Sequence, residues 1–273
     1  MKLFHKDIDD VELVFFDVET TGLYPSSGDA VCELGAVKIQ GGTETAVFNE
    51  LINPKRSIPP EASAVHHIYD SDVDGKPYFE EVVDRFLYFI GSSVLCGYNI
   101  GFDLGFLNAE LTRIKYPPID IPSIDVLVMA RRTIQSAHYN LKAVTEHLNI
   151  SAKNFHRALD DAIATKDIFL IIKDIAAQKG IRRTGDFISL YGFDNNFFKK
   201  HQEPKIAFLK ESIRAQLKIQ IRYVSYANTA NTFIIIPKKV EEKEGRKYLI
   251  AVHSLTQKEL TFNLSRILRA DIV

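Results

Sequence analysis

The chain is poor in cysteine, with only Cys32 and Cys96 among 273 residues, both inside apolar stretches. That scarcity excludes a disulfide scaffold and a cysteine-built zinc site, and the two thiols read as small buried residues of a reducing compartment. Long hydrophobic runs are missing as well. No stretch approaches the ~18 consecutive apolar residues of a membrane span. The first ten residues, MKLFHKDIDD, carry acids where a signal peptide needs an apolar core. A cytoplasmic protein without membrane association is therefore expected. Net charge is almost absent, with 34 Lys and Arg against 35 Asp and Glu. The balance hides an asymmetry: residues 181–273 hold 17 basic against 9 acidic side chains (+8), and residues 1–180 hold 17 against 26 (−9). Hydrophobic residues make up 46% of the chain, enough for a substantial core and, at this length, for two domains.

Acidic residues stand out where apolar patterns end. The run VELVFF is short, rich in Val and Phe, and suits a strand buried on both faces. Asp17 and Glu19 follow it at i and i+2, so an extended chain turns both carboxylates to one side, where such a pair can hold hard divalent cations. Like charges so close repel unless a cation joins them or one is protonated. Surface acids on a strand end remain the other reading. Asp103 falls in GYNIGFDLGFL, at the first turn of a helix marked by Leu104, Leu107 and Leu111. A helix cap would serve equally there. In HRALDDAIAT, His156 lies on a loop and Asp161 enters the pattern Ala162, Ile163, Ile168, Phe169, Ile172 of a long helix, where Asp160 and Asp161 also suit a first turn. The neighbours His66 and His67 invite a zinc hypothesis, but no ligand-spaced Cys or His accompanies them, and a loop lining a cleft is the better reading.

Order and context join these segments. DVETTGL with ELGAVKI, VHHI, GYNIGFDLGFL, SIDVLVMARR, YNLKAVTEHLNI and HRALDDAIAT follow one another between about residues 11 and 175. Together they resemble the DEDDh family of 3′–5′ exonucleases, which includes the proofreading epsilon subunit of bacterial replicative polymerases and ribonuclease T. The resemblance implies a ribonuclease H-like α/β fold, a mixed sheet flanked by helices. The coarse pattern agrees, with strands at VELVFFDVE, AVCELGAVKI, TAVFNELI and SVLCGY and helices near 79–90, 104–114 and 157–178. It further implies that Asp17, Glu19, Asp103 and Asp161 hold two Mg²⁺ or Mn²⁺ ions and that His156 takes a proton from the attacking water. Thr20 and Leu23 would contact the terminal nucleotide, with Phe102 and Asn99 close by; strand-end and core packing is the alternative for these four. Two departures from the family, Tyr98 for a common His and His67 for a common Gly, bear on how a strand sits.

Residues QKGIRRTGDFISLYGFDNNFFKKHQEPK show no clear period, and their aromatic content, including Phe197 and Phe198, suits a connector that packs locally. Beyond it, Ile206, Leu209, Ile213 and Leu217 share a helical face, and about five short strands follow. A helix leading into short strands suggests a small barrel. IRY (221–223), IIIPKKV (234–240), KYLIAV (247–252) and FNLSRI (262–267) resemble a WYL domain, an Sm-like barrel, with Lys247 in place of the signature Trp. This implies a nucleic-acid or nucleotide-binding module. Its candidate contacts are Arg222, Tyr223, Tyr248, His253 and Arg266, each of which could instead be core or plain surface.

The expectation is thus an exonuclease domain over 1–178, a connector over 179–204 and a WYL-like barrel over 205–273. The chain would trim 3′ ends of single-stranded nucleic acid, DNA before RNA, with a polymerase or repair partner and a homodimer both open. A binding or ligand-sensing regulator built on the same scaffold is the competing class, although a scaffold has no use for four converging carboxylates.

Overall fold

The computed structural model describes residues 2–151, 155–193 and 196–273; of residues 2, 196–199 and 201 it describes the backbone only. The chain divides into two compact units, one of residues 8–173 and one of residues 1–7 with 174–273.

In the first unit a five-stranded sheet has the order β3-β2-β1-β4-β5. Its strands are β1 (Leu13–Thr20), β2 (Val31–Gln40), β3 (Thr43–Leu51), β4 (Val94–Gly97) and β5 (Ser123–Asp125). β1 to β3 form an antiparallel meander, and β4 and β5 run parallel to β1, which makes the sheet mixed. β1 lies centrally because its apolar run satisfies both faces: Leu13, Val14, Phe15 and Phe16 are all buried. Alternation then divides them. Phe15 meets Phe169 edge-on with centroids 5.2 Å apart, while Phe16 meets Phe86 on the opposite face at 6.2 Å.

Those partners belong to two of the helices, which run in chain order as α1 (Lys2–His5, part of the second unit), α2 (Pro60–His66), α3 (Asp70–Val73), α4 (Phe79–Ile90), α5 (Gly101–Arg113), α6 (Val126–Thr133), α7 (Leu141–His147) and α8 (Ala158–Gln178). α4 covers the Phe16 face and α8 the Phe15 face. The start of α8 sits on β2 at Gly35, where a Cβ would lie 2.1 Å from the Leu159 nitrogen. Only glycine permits this approach. Asp17 and Glu19 have the parity of Phe15, so the same face that carries α8 carries both carboxylates.

The second unit holds α1, α9 (Thr184–Tyr191), α10 (Asn196–Arg214) and an antiparallel sheet of order β10-β6-β7-β8-β9. Its strands are β6 (Ile219–Val224), β7 (Ala230–Lys243), β8 (Arg246–His253), β9 (Glu259–Asn263) and β10 (Ile267–Ile272). Alternate residues Ile219, Ile221 and Tyr223 of β6 join Ile235, Leu249, Phe262, Ile267 and Leu209 of α10 in one core. Two features differ from the sequence pattern. α9 forms within the segment read as irregular, and its residues Phe187, Ile188, Leu190 and Tyr191 are buried. α10 begins at Asn196 and runs through Pro204, ahead of the apolar stripe that starts at Ile206. The side chains of Phe197 and Phe198 lie outside the described ones. Both cysteines are buried and unpaired. Among the described residues, no helix is long and apolar enough to cross a membrane.

Candidate active site

β1 pairs with β4 only through Leu13, Val14 and Phe15, after which the two strands part. The backbone N–H of Val18, left without a strand partner on that side, donates to Asp103 Oδ1 at 3.1 Å. Asp103, buried in the first turn of α5, therefore fills the gap between the strands, and its charge reaches Asp17.

From the other side α8 brings Asp161. Ligand oxygens of Asp17, Glu19 and Asp161 lie within 4.8 Å of one another. The electrostatics of this cluster are unfavourable for an apoprotein. Burial, then the charges of Asp103 and Glu19, hold Asp17 well above the usual carboxylate range. Burial also raises Asp103. Glu19 is pushed up to about 8, by burial first and then by Asp161, Glu33 and Asp103. Asp161 rises to about 6, chiefly through burial. One oxygen of Asp161, Oδ1, is buried with no hydrogen-bond partner among the described residues. An unsatisfied buried carboxylate oxygen beside two more carboxylates fits a hard divalent cation, which would both neutralise the charge and fill the open ligand position.

His156 stands on the turn before α8 with a left-handed backbone (φ 68°) and an exposed side chain. Its N–H donates to Asp161 Oδ2 at 3.3 Å, tying the turn to the cluster. Residues the sequence reading passed over fix this turn. Glu33, directly opposite Glu19 across β1 and β2, is 1% exposed. It accepts three bonds from Arg157, the shortest of 2.5 Å from a terminal guanidinium nitrogen, and one of 2.9 Å from the Ala158 N–H at the start of α8. A charged residue inside the apolar strand ELGAV was the available signal.

Beside the carboxylates opens a cleft of about 540 Å³, lined among others by Glu19, Thr20, Leu23, Val65, His66 and Phe102. Thr20 is buried and its hydroxyl donates to the Gly22 carbonyl at 2.6 Å, whereas Leu23 is 67% exposed on the rim. The rim loop is clamped by two arginines. Arg113 donates to the carbonyls of Pro25 (2.9 Å) and Asp29 (2.7 Å), and Arg56 to that of Gly28 (2.5 Å). Phe102 stacks at a tilt on Phe106, centroids 4.9 Å apart. Asn99 does not line this cleft; it adopts φ 64° and its N–H donates to Asp125 Oδ1 at 3.3 Å, so it shapes the turn between β4 and α5. His66 lines the cleft, Nδ1 accepting from the Ile68 N–H at 3.0 Å. His67 lines a separate cavity with Glu33 and Arg157.

The five C-terminal candidates do not form one patch. Tyr223 is in the core, edge-on to Phe262 at 5.0 Å. Arg266 is buried, donating to the Val224 and Ser225 carbonyls at 3.3 and 2.7 Å beneath the Tyr226 ring. Arg222 points to the outer face, facing Asp186 at 3.5 Å and donating to the Gly180 carbonyl. Tyr248 and His253 stand toward the two ends of β8, both half-buried.

A mixed sheet in the β3-β2-β1-β4-β5 order, with acids from β1, α5 and α8 converging at its end, defines a ribonuclease H-like nuclease domain. The chain belongs to the ribonuclease T-type exonuclease family, whose profile matches residues 14–169, and residues 204–272 match the WYL domain. PolC-type DNA polymerase III of Clostridium perfringens is 37% identical over 165 residues, 60% of this chain and 11% of that protein. This chain thus spans about a tenth of the PolC-type polymerase. The DNA polymerase III epsilon subunit of Treponema pallidum is 36% identical over 174 residues, 62% of this chain and 80% of that protein. Among solved structures, exonuclease X in complex with 5′ overhanging duplex DNA matches with a TM-score of 0.50 and 26% identity, covering 62% of this chain and 93% of its own.

Proposed function

We propose that the protein is a metal-dependent 3′–5′ exonuclease that releases nucleoside 5′-monophosphates from single-stranded DNA or from 3′ ends. The observation that carries this reading is the convergence of Asp17, Glu19 and Asp161 within 4.8 Å at the edge of a cleft. Asp17, Glu19, Asp103 and Asp161 would hold two Mg²⁺ or Mn²⁺ ions. When bound, such ions supply positive charge at the attacking and leaving oxygens of the phosphodiester. His156, exposed on its turn, accepts the proton of the attacking water as the water oxygen bonds to phosphorus and the bond to the 3′ oxygen breaks. Leu23, Thr20 and Phe102 hold the terminal nucleoside between rim and floor. DNA is favoured over RNA because the matched relatives are DNA polymerase components and exonuclease X was solved on DNA.

The division into an exonuclease domain (1–178), a connector (179–204) and a WYL-type module (205–273) belongs to the same reading, as does closure of the C-terminal sheet into an Sm-like barrel. A bulge in β7 between Pro237 and Lys239, which bends a long strand, supports that curvature. A polymerase or repair protein is the proposed partner, homodimerisation remains part of the reading, and the cytoplasm is the proposed compartment.

The test is digestion of 5′-labelled single-stranded DNA and RNA with Mg²⁺, Mn²⁺ or EDTA. A metal-dependent ladder shortening from the 3′ end is expected, and intact substrate under every metal condition would remove the proposal.

A further inference from the structure

The outer face of the C-terminal sheet concentrates positive charge in a way that folding does not require. On β6, the core residues Ile219, Ile221 and Tyr223 alternate with Gln220 and Arg222, which therefore point away from the core. Strand pairing sets Arg269 of β10 opposite Arg222 on one side and Thr232 of β7 opposite it on the other. Like charges directly opposite each other on neighbouring strands weaken a sheet. Arg183, the N-cap residue of α9, joins this rung, and the four side chains with Gln220 and Asp271 line an open cavity of about 390 Å³.

Carboxylates offset part of the charge. Asp271 holds Arg269 at 2.6 Å and Asp186 faces Arg222 at 3.5 Å. Among the described residues, three guanidinium groups against two carboxylates leave one positive charge in excess, and the Arg269 side chain is 56% exposed. The chemistry of the lining is specific. Planar guanidinium forks match phosphate oxygens in pairs, and the Thr232 hydroxyl and Gln220 amide add neutral donors. Among the described residues, Ile272 is the only apolar side chain in the lining, and none of them places an aromatic ring there to stack on a base. Such a surface holds a backbone without reading its sequence. None of Tyr248, His253 or Arg266 contributes to it.

We propose that Arg183, Arg222, Arg269 and Thr232 form a binding site for the phosphodiester backbone of single-stranded nucleic acid. The proposal rests on the nuclease reading for its choice of a strand over other phosphates.

The experiment is fluorescence anisotropy of a labelled oligothymidylate with the full-length protein in EDTA, across a NaCl series. The Arg183→Gln/Arg269→Gln double variant leaves the Arg222–Asp186 pair in place, and Lys238→Gln/Lys239→Gln on β7 removes equal charge elsewhere. The Arg variant is expected to bind about tenfold more weakly, with a salt slope smaller by about 1.4, two phosphate contacts at about 0.7 each. The Lys variant is expected to match wild type. Unchanged affinity and slope in the Arg variant, or an equal loss in the Lys variant, would overturn the site. Calorimetric binding of inorganic phosphate that the Arg variant loses, while strand affinity is unchanged, would overturn it in favour of a small phosphate ligand. Metal-dependent hydrolysis of a trinucleotide by the wild-type protein is read separately: its absence, with the Arg-specific loss of binding intact, sinks the nuclease reading and leaves the strand site standing.

Discussion

The two units each gather charge of one sign, but they do so at different depths. In the first, Asp17, Glu19, Asp103 and Asp161 crowd at a buried strand end, and Glu19 is pushed up to about 8. In the second, Arg183, Arg222 and Arg269 share an open face on which two carboxylates partly balance them. Water screens the second cluster and can hardly screen the first. A buried cluster must therefore be completed by something that brings charge into it, whereas an exposed one can wait in solvent for a polyanion. The depth of a charge cluster thus separates a site for small cations from a surface for a strand.

Substitutions that act on depth should break this comparison most sharply. Asp17→Ala and Asp161→Ala are each expected to reduce metal-dependent hydrolysis to background in a labelled-strand assay while the fold persists. Because each removes a repelling carboxylate, neither should lower the melting temperature in EDTA. Near-wild-type hydrolysis by either would dismantle the site.

Gly35→Ala attacks the support instead. Its Cβ would lie 2.1 Å from the backbone of Leu159, so α8 must shift, at a cost of about 3 kcal/mol, the upper end of the range for overpacking. Denaturant melts should show that loss, and hydrolysis should fall with it as Asp161 leaves its neighbours. Glu33→Gln keeps the size of the side chain but removes the charge that holds Arg157 and the start of α8. Loss of such a supporting contact is expected to lower turnover by about 10–100-fold with little change in KM. A KM effect alone would reassign Glu33 to packing.

The smallest effect is one of pH. The folded-state pKa values of Glu19 (about 8) and Asp161 (about 6) are raised, so their contribution to stability is present at low pH and lost as pH rises through those values. Between pH 5 and 8.5 the metal-free protein should lose about 5 °C of melting temperature, and saturating Mg²⁺ should recover it. A flat profile in EDTA would mean that the acids do not repel as their burial implies.

Much of this was legible in the chain. Asp17 and Glu19 announce themselves because a two-residue spacing on a strand has one geometric outcome, and the apolar run before them fixes that strand as central. Asp103 and Asp161 were visible as acids at helix starts. What made them converge, the parting of β1 from β4 and the seat of α8 on Gly35, depends on contacts no local pattern records. Glu33 stayed hidden because its partner Arg157 lies 124 residues away. The arginine rung was hidden for a related reason. Arg222 was picked out from its own motif, but its neighbour Arg269 follows from strand register, and that register shifts between Ile267 and Arg269. Helix α9 escaped because it is buried on several sides and so lacks an amphipathic stripe.

The loop from Thr21 to Ala30 has a kinetic consequence. Arg113 and Arg56 hold its carbonyls, and the Asp29 side chain fills the space that a Cβ at Gly22 would need. Leu23 therefore stands on a rim whose conformational freedom was surrendered when the domain folded. Under the proposed exonuclease reading, an arriving strand end would have no disordered segment to organise on that side of the cleft, so capture of successive ends would proceed at the pace of encounter and product escape, with no folding step repeated for each nucleotide removed.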